Sequence, residues 1–176
     1  MGRAAAFFDL DRTLLKGVSG PVISRALQQV GLLPPRRVPG EGLLFKAIDL
    51  FGENRLAMVG TRNAARFTAG WARSAAQEAG HIAADLLAPL VQPFARPLID
   101  GHHAAGRDVV LATTTPHDVV APLADALGMD AVVATRYGQR DDGCYDGTID
   151  GHFVWGAGKL EAVRDWSDEN GVDLSE

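Results

Sequence analysis

Asp9 and Asp11 stand two residues apart at the end of a short apolar run, Ala4-Ala5-Ala6-Phe7-Phe8. An apolar run of this length reads as a buried strand. Along a strand, positions i and i+2 share a face, so both carboxylates would look into one crevice if the strand geometry persists. Open α/β sheets bind ligands at the carboxyl ends of their strands. Two acids crowded there require a cation or a shared proton. The pair therefore suggests a metal-assisted nucleophile beside an acid/base group. A calcium-binding EF-hand loop opens with the same spacing, but it needs Gly at its sixth position and Glu at its twelfth. Counted from Asp9, those positions are Leu14 and Gly20. A polar turn in which Asp11 or Thr13 caps a helix leaves the second acid unexplained.

Two further groups suit an anion. Thr113-Thr114-Thr115 follows the apolar stretch 108–112 and precedes a helical pattern. Hydroxyls and free amides at a helix N-terminus bind anions. One threonine suffices for capping, and three in a row point to phosphate contact. His117, two residues on, reads as an exposed residue of the first helical turn. Lys159 follows Gly156-Ala157-Gly158 at the start of the last helical pattern. A cation is disfavoured at that end of a helix, so its placement suggests an anion or carboxylate to neutralise.

The elements that must position these groups are legible from periodicity and punctuation. Helices are predicted over 21–30, 43–51, 55–71 and 74–90, with a turn-rich connection over 34–42 and a short helix within 91–101. Strand signals return at 108–112. A helix opening with Thr115 as N-cap, Pro116 at its first position and Asp118 closing a capping box follows. Residues 131–134 form the next strand, so strand, helix and strand make a βαβ unit and a parallel sheet. The glycine-punctuated stretch 135–156 reads as a β-hairpin. A final helix over 157–170 carries Leu160, Val163 and Trp166 on one side. The fold class is α/β, a Rossmann-like parallel sheet with a helical module inserted after the first strand. The boundaries are 1–16 and 102–176 for the core and 17–101 for the helical cap.

Composition narrows the partners. The 176 residues carry a net charge of −5, which gives no electrostatic reason to expect nucleic acid. No apolar run reaches membrane-spanning length and no signal-peptide pattern opens the chain, so a cytoplasmic location is expected. Cys144, the sole cysteine, can form neither an intrachain disulfide nor a multi-cysteine metal site.

Taken together, Asp9-x-Asp11-x-Thr13 after an apolar strand, Thr113 at the end of the second core strand, and Lys159 after the Tyr145-Asp146-Gly147-Thr148 hairpin resemble the haloacid dehalogenase superfamily. Within it the pattern is similar to the phosphoserine-phosphatase-like subfamily. The resemblance implies that Asp9 attacks phosphorus and forms an aspartyl-phosphate, while Asp11 protonates the leaving oxygen and then activates water. It implies Mg²⁺ held by the Asp9 carboxylate and the Asp11 backbone carbonyl. It further implies that Thr113, the Thr114 amide and Lys159 hold the phosphoryl oxygens, with Thr13 orienting the turn. The substrate would be a small phosphorylated metabolite. Phosphoserine itself is disfavoured, because the stretch 16–21 lacks the glutamate that reads the substrate amine.

The family's fourth motif, an acidic pair after the next core strand, has no room before Glu176. Asp165, Asp168 and Asp173 read as solvated charges. The expectation is a core incomplete at its C-terminus, a fragment of a longer reading frame with weakened metal binding. The alternative function is then a catalytically impaired chain that binds a phosphorylated ligand or forms part of a larger protein.

Overall fold

The computed structural model describes residues 3–34 and 55–174. Strand β1 (Ala5–Phe8) pairs in parallel with β2 (Asp108–Thr113), and β2 pairs in parallel with β3 (Ala131–Ala134), in the spatial order β1-β2-β3. The register sets Phe8 beside Leu111 and Thr113 beside Ala134. Asp9 and the threonine run therefore leave the sheet at the same carboxyl edge. The predicted helical expectation for 43–51 and the turn over 35–42 lie outside the described residues.

β2 is the strand on which the core is built. Val109 and Leu111 enter one apolar cluster, and Val110 and Ala112 enter the other. All four are between 0% and 2% exposed. Alternation with both sets buried marks a central strand covered on both faces. On the first face lie α4 (Ala95–Ala104), through Ile99, and α5 (His117–Leu127), through Val120 and Leu123. On the second lies α6 (Ala157–Asn170), through Ala162, Val163 and Trp166, whose ring meets Phe7 edge-on at 5.7 Å. Leu160, expected on the buried side of α6, is exposed.

Between β1 and β2 come α1 (Gly20–Gln29), α2 (Arg55–Ala64) and α3 (Arg73–Leu87). The chain enters and leaves this insertion through a short antiparallel stem. Leu15 bridges Val91, the Lys16 amide donates to the Leu90 carbonyl at 3.0 Å, and the Gln92 amide donates to the Leu14 carbonyl at 2.8 Å. The predicted helix over 55–71 stops earlier. After Ala64 it tightens into a 3₁₀ turn, Ala65–Thr68, and then leaves helical geometry at Ala69 (φ −53°, ψ 125°). There the backbone pairs instead with the hairpin: Gly70 donates to the Tyr145 carbonyl and the Tyr145 amide to the Trp71 carbonyl, each at 2.9 Å. That hairpin is β4 (Arg136–Gln139) and β5 (Tyr145–Asp150), antiparallel and separate from the main sheet.

The insertion rests on the core where α3 crosses α5. Small residues line the contact on α3: Ala76, Ala79, Gly80, Ala83 and Ala84 are all buried. A Cβ at Gly80 would lie 2.7 Å from the Asp118 carbonyl oxygen, so glycine sets the helix spacing. At the far end of α5, Arg96 donates to the Ala126 and Leu127 carbonyls, each at 2.8 Å, satisfying acceptors that a helix C-terminus leaves open.

Beyond α6 the chain turns back beside β1. Val172 forms a parallel bridge with Arg3, and the Asp173 amide donates to the Arg3 carbonyl at 2.9 Å.

Gly80→Ala is expected to cost about 1–3 kcal/mol, as overpacking against a backbone atom does. Gly101→Ala, at a helical position with open space around it, is expected to stabilise by about 0.5–1 kcal/mol. Urea unfolding of the two variants checks the contrast, and equal effects would contradict the close crossing.

Candidate active site

The two leading acids are placed by a turn rather than by strand alternation. β1 ends at Phe8, and Asp9 is still extended (φ −83°, ψ 159°). The chain then coils through one wide turn, Leu10–Leu14. Asp11 lies inside that turn with non-helical angles (φ −71°, ψ 126°), and Arg12 adopts φ 59°. Arg12 is the only non-glycine residue with positive φ among the described residues, a conformation that costs energy and persists only where the surroundings enforce it. Here Leu10 and Leu14, both fully buried, pin the turn from within the core. The expectation that the strand geometry carries through Asp11 is therefore corrected.

Lys159 Nζ lies 2.7 Å from Asp9 Oδ1. The Asp9 side chain is 44% exposed, so its carboxylate remains open to solvent and to a substrate. Gly156 (φ 56°, ψ −125°) precedes the helix that carries the lysine. At Gly158 a Cβ would run into the Phe153 carbonyl. The lysine is thus delivered by a close backbone approach that only glycine permits.

Asp11 points elsewhere. Its Oδ1 accepts a 2.7 Å hydrogen bond from the Ser19 amide. Burial raises its pKa above the ordinary value; the bonds from Ser19 oppose this, and the neighbouring Asp9 charge adds to it. An acid held towards its protonated form suits proton donation. The Ser19 hydroxyl lies 3.4 Å from that of Thr115, linking the start of α1 to the threonine run. Ser19 is buried and is a site residue that the motifs alone do not mark. Its position as the residue before a Gly-Pro helix start was the available signal.

The threonines divide their work. The Thr113 hydroxyl accepts from the Thr115 amide at 3.2 Å, and that of Thr114 donates to the Val154 carbonyl at 2.9 Å. Both bonds fix the loop. Thr13 is exposed, and its hydroxyl has no hydrogen-bond partner among the described residues.

The capping-box expectation at α5 is also corrected. The helix begins at His117 after Pro116, without a side-chain cap. Asp118 turns instead to the inserted helices. Arg73 Nε lies 3.1 and 3.0 Å from its two carboxylate oxygens, and the Tyr145 hydroxyl donates to it at 2.7 Å. Burial would raise the Asp118 pKa, but the hydrogen bonds from Arg73 and Tyr145 and the charge of Arg73 override it and hold the carboxyl well below the usual range. Asp165, on α6, lies 2.7 Å from His152.

Among the described residues no cluster of three or more His, Cys, Asp or Glu could hold a metal ion. Nor is any helix among them long and apolar enough to cross a membrane.

A parallel sheet with two acids, a threonine run and a lysine converging on one edge is matched by a family model for haloacid dehalogenase-like hydrolases over residues 6–176. The chain belongs to this family. Its phosphoserine-phosphatase-like branch is the one the motifs resemble. The chain is 35% identical over 98% of its length to an inhibition of morphological differentiation protein of Streptomyces azureus, covering 63% of that protein. It is 34% identical over 98% of its length to a probable phosphatase of Mycobacterium tuberculosis, covering 60% of it. It thus spans about 60% of the length of these curated relatives. A crystal structure of a Bordetella pertussis protein of unknown function superposes with a TM-score of 0.76 at 26% identity, covering 99% of this chain and 78% of that one.

The low Asp118 pKa ties stability to pH. Its contribution is fully present above the ordinary aspartate value of 3.8 and is lost as pH falls below it. Asp118→Asn lacks that contribution. The stability gap between wild type and variant is expected to narrow as pH is lowered from about 6 to about 3, followed by denaturant unfolding. A gap independent of pH would contradict the assignment.

Proposed function

We propose that this chain is a phosphatase that hydrolyses a small phosphomonoester through a covalent aspartyl-phosphate on Asp9. The reading rests on the 2.7 Å contact between Asp9 and Lys159 at the sheet edge from which the threonine run also leaves. The name of the mycobacterial relative, a probable phosphatase, agrees with it.

In the first step an Asp9 carboxylate oxygen attacks phosphorus, and the bond from phosphorus to the ester oxygen breaks. Asp11, held towards its neutral form by burial, donates its proton to the departing oxygen. In the second step Asp11, now a carboxylate, takes a proton from water as that water attacks phosphorus. The bond from phosphorus to the Asp9 oxygen breaks and inorganic phosphate leaves. Lys159, Thr113 and the Thr114 amide hold the phosphoryl oxygens through both steps. Thr13 belongs to the turn that orients Asp11.

Mg²⁺ fits this donor set. Asp9 retains Oδ2 beside the lysine-bound Oδ1, and the Asp11 carbonyl lies in the same turn. One carboxylate and a carbonyl, completed by water and substrate oxygens, is a donor set Mg²⁺ accepts. When bound, the ion offsets the negative charge of the phosphoryl group facing a carboxylate nucleophile.

The same proposal takes 17–101 as the cap and 1–16 with 102–176 as the core. A substrate other than phosphoserine follows from the lack of an acid in 16–21. No nucleic-acid or membrane partner and a cytoplasmic location complete the reading.

Turnover of an aryl phosphate with and without Mg²⁺ tests it. Asp9→Asn is expected to lower kcat by more than about a thousandfold, and equal rates would sink the nucleophile assignment. Phosphate raising the melting temperature without turnover of any ester would instead support ligand binding alone. Ser19→Ala removes a group that lowers the Asp11 pKa. Because the first step needs protonated Asp11, the alkaline limb of kcat/KM is expected to move to higher pH. A shift to lower pH would assign the proton elsewhere.

A further inference from the structure

One cavity is not used by the chemistry above. It has a volume of about 560 Å³, within the range of small-molecule sites. Two of its walls come from the helices whose N-termini flank the acids and the threonine run. Val119 lies in the first turn of α5, the helix that follows the threonine run and Pro116. Leu27 comes from α1, which opens at the Ser19 amide bound to Asp11. The hairpin closes a third side with Tyr137 and Tyr145, and Trp71 and Phe67 complete the wall.

The lining is apolar and carries no charged side chain among the described residues. Two of its hydroxyls are already committed: Thr68 donates to the Ala65 carbonyl and Tyr145 to Asp118, each at 2.7 Å. The Tyr137 hydroxyl has no hydrogen-bond partner among the described residues. Burial pushes its pKa up to about 12, so it stays protonated and able to donate. Phe67, at 80% exposure, leaves a large aromatic face in water that a ligand could cover. An apolar space with few polar groups, lined in part by the first turn of the helix that follows the threonine run, is matched to a particular kind of ester.

We propose that this cavity receives the leaving group of the substrate, an alkyl or aryl alcohol with an apolar body, and that Phe67, Trp71 and Tyr137 select for it. The inference rests on the phosphatase reading. Within it, the chain would act on phosphate esters of apolar alcohols rather than of charged amino acids or sugars.

A series of ethyl, butyl, hexyl and octyl phosphates tests this with Mg²⁺ present. Each buried methylene is expected to lower KM by about threefold to fourfold while the cavity fills, with kcat nearly constant because the gain is uniform binding. Phe67→Asp, at an exposed position that does not endanger folding, is expected to flatten the series. Turnover with a KM independent of chain length would overturn the inference and leave the phosphatase reading standing. If no ester turns over, that reading fails, and calorimetry then decides the cavity. Octyl phosphate binding at least tenfold more tightly than ethyl phosphate would support it, and equal binding would overturn it.

Discussion

The contact between Lys159 and Asp9 is the constraint on which the rest depends. It joins residues 150 apart in sequence and brings the first strand and the last helix to one point. A lysine in the first turn of a helix opposes the helix dipole. The carboxylate at the end of β1 offsets that cost, and the glycines before the lysine let the helix approach closely enough. Nearly every other feature of the sheet serves the same convergence. β2 lies buried on both faces beside β1, and its parallel register with β1 sends Asp9 and the threonine run to the same edge.

The helical insertion is not an independent ornament on this core. Its entry turn contains Asp11, its first helix begins at the Ser19 amide that binds Asp11, and the Ser19 hydroxyl touches Thr115. Its third helix sits on α5 at glycine spacing and is tied there by Arg73 to Asp118. Tyr145 brings the hairpin to that same carboxylate. One partly buried acid thus holds together the helix after the threonine run, the insertion and the hairpin. A pair of this kind gains strength from several satisfied hydrogen bonds rather than from charge alone.

Much of this was legible in the chain before any coordinates. β3 and α6 fall where periodicity put them, because glycine and short apolar runs bound them sharply. The parallel α/β class follows from strand, helix and strand in sequence. What local pattern misled on was partnership. Asp118 fits a capping box by spacing, yet its carboxylate answers Arg73, a residue 45 positions away that no local rule could bring to it. Helix propensity over 55–71 could not register that Gly70 and Trp71 pair with the hairpin. Leu160 satisfied the helical period but is exposed. Ser19 meets Asp11 through its backbone amide and Thr115 through its hydroxyl, contacts 8 and 96 positions away that no local pattern announces.

Asp9 as the group that takes up phosphorus is the central claim, and chemical trapping addresses it most directly. Protein mixed with a phosphate ester and Mg²⁺, quenched in acid within its turnover time and reduced with borohydride, would be digested and sequenced by mass spectrometry. An acyl phosphate at this position reduces to homoserine, so the account predicts homoserine at residue 9 only when ester is present. Turnover with aspartate unaltered at residue 9, or homoserine at residue 11 instead, would contradict it.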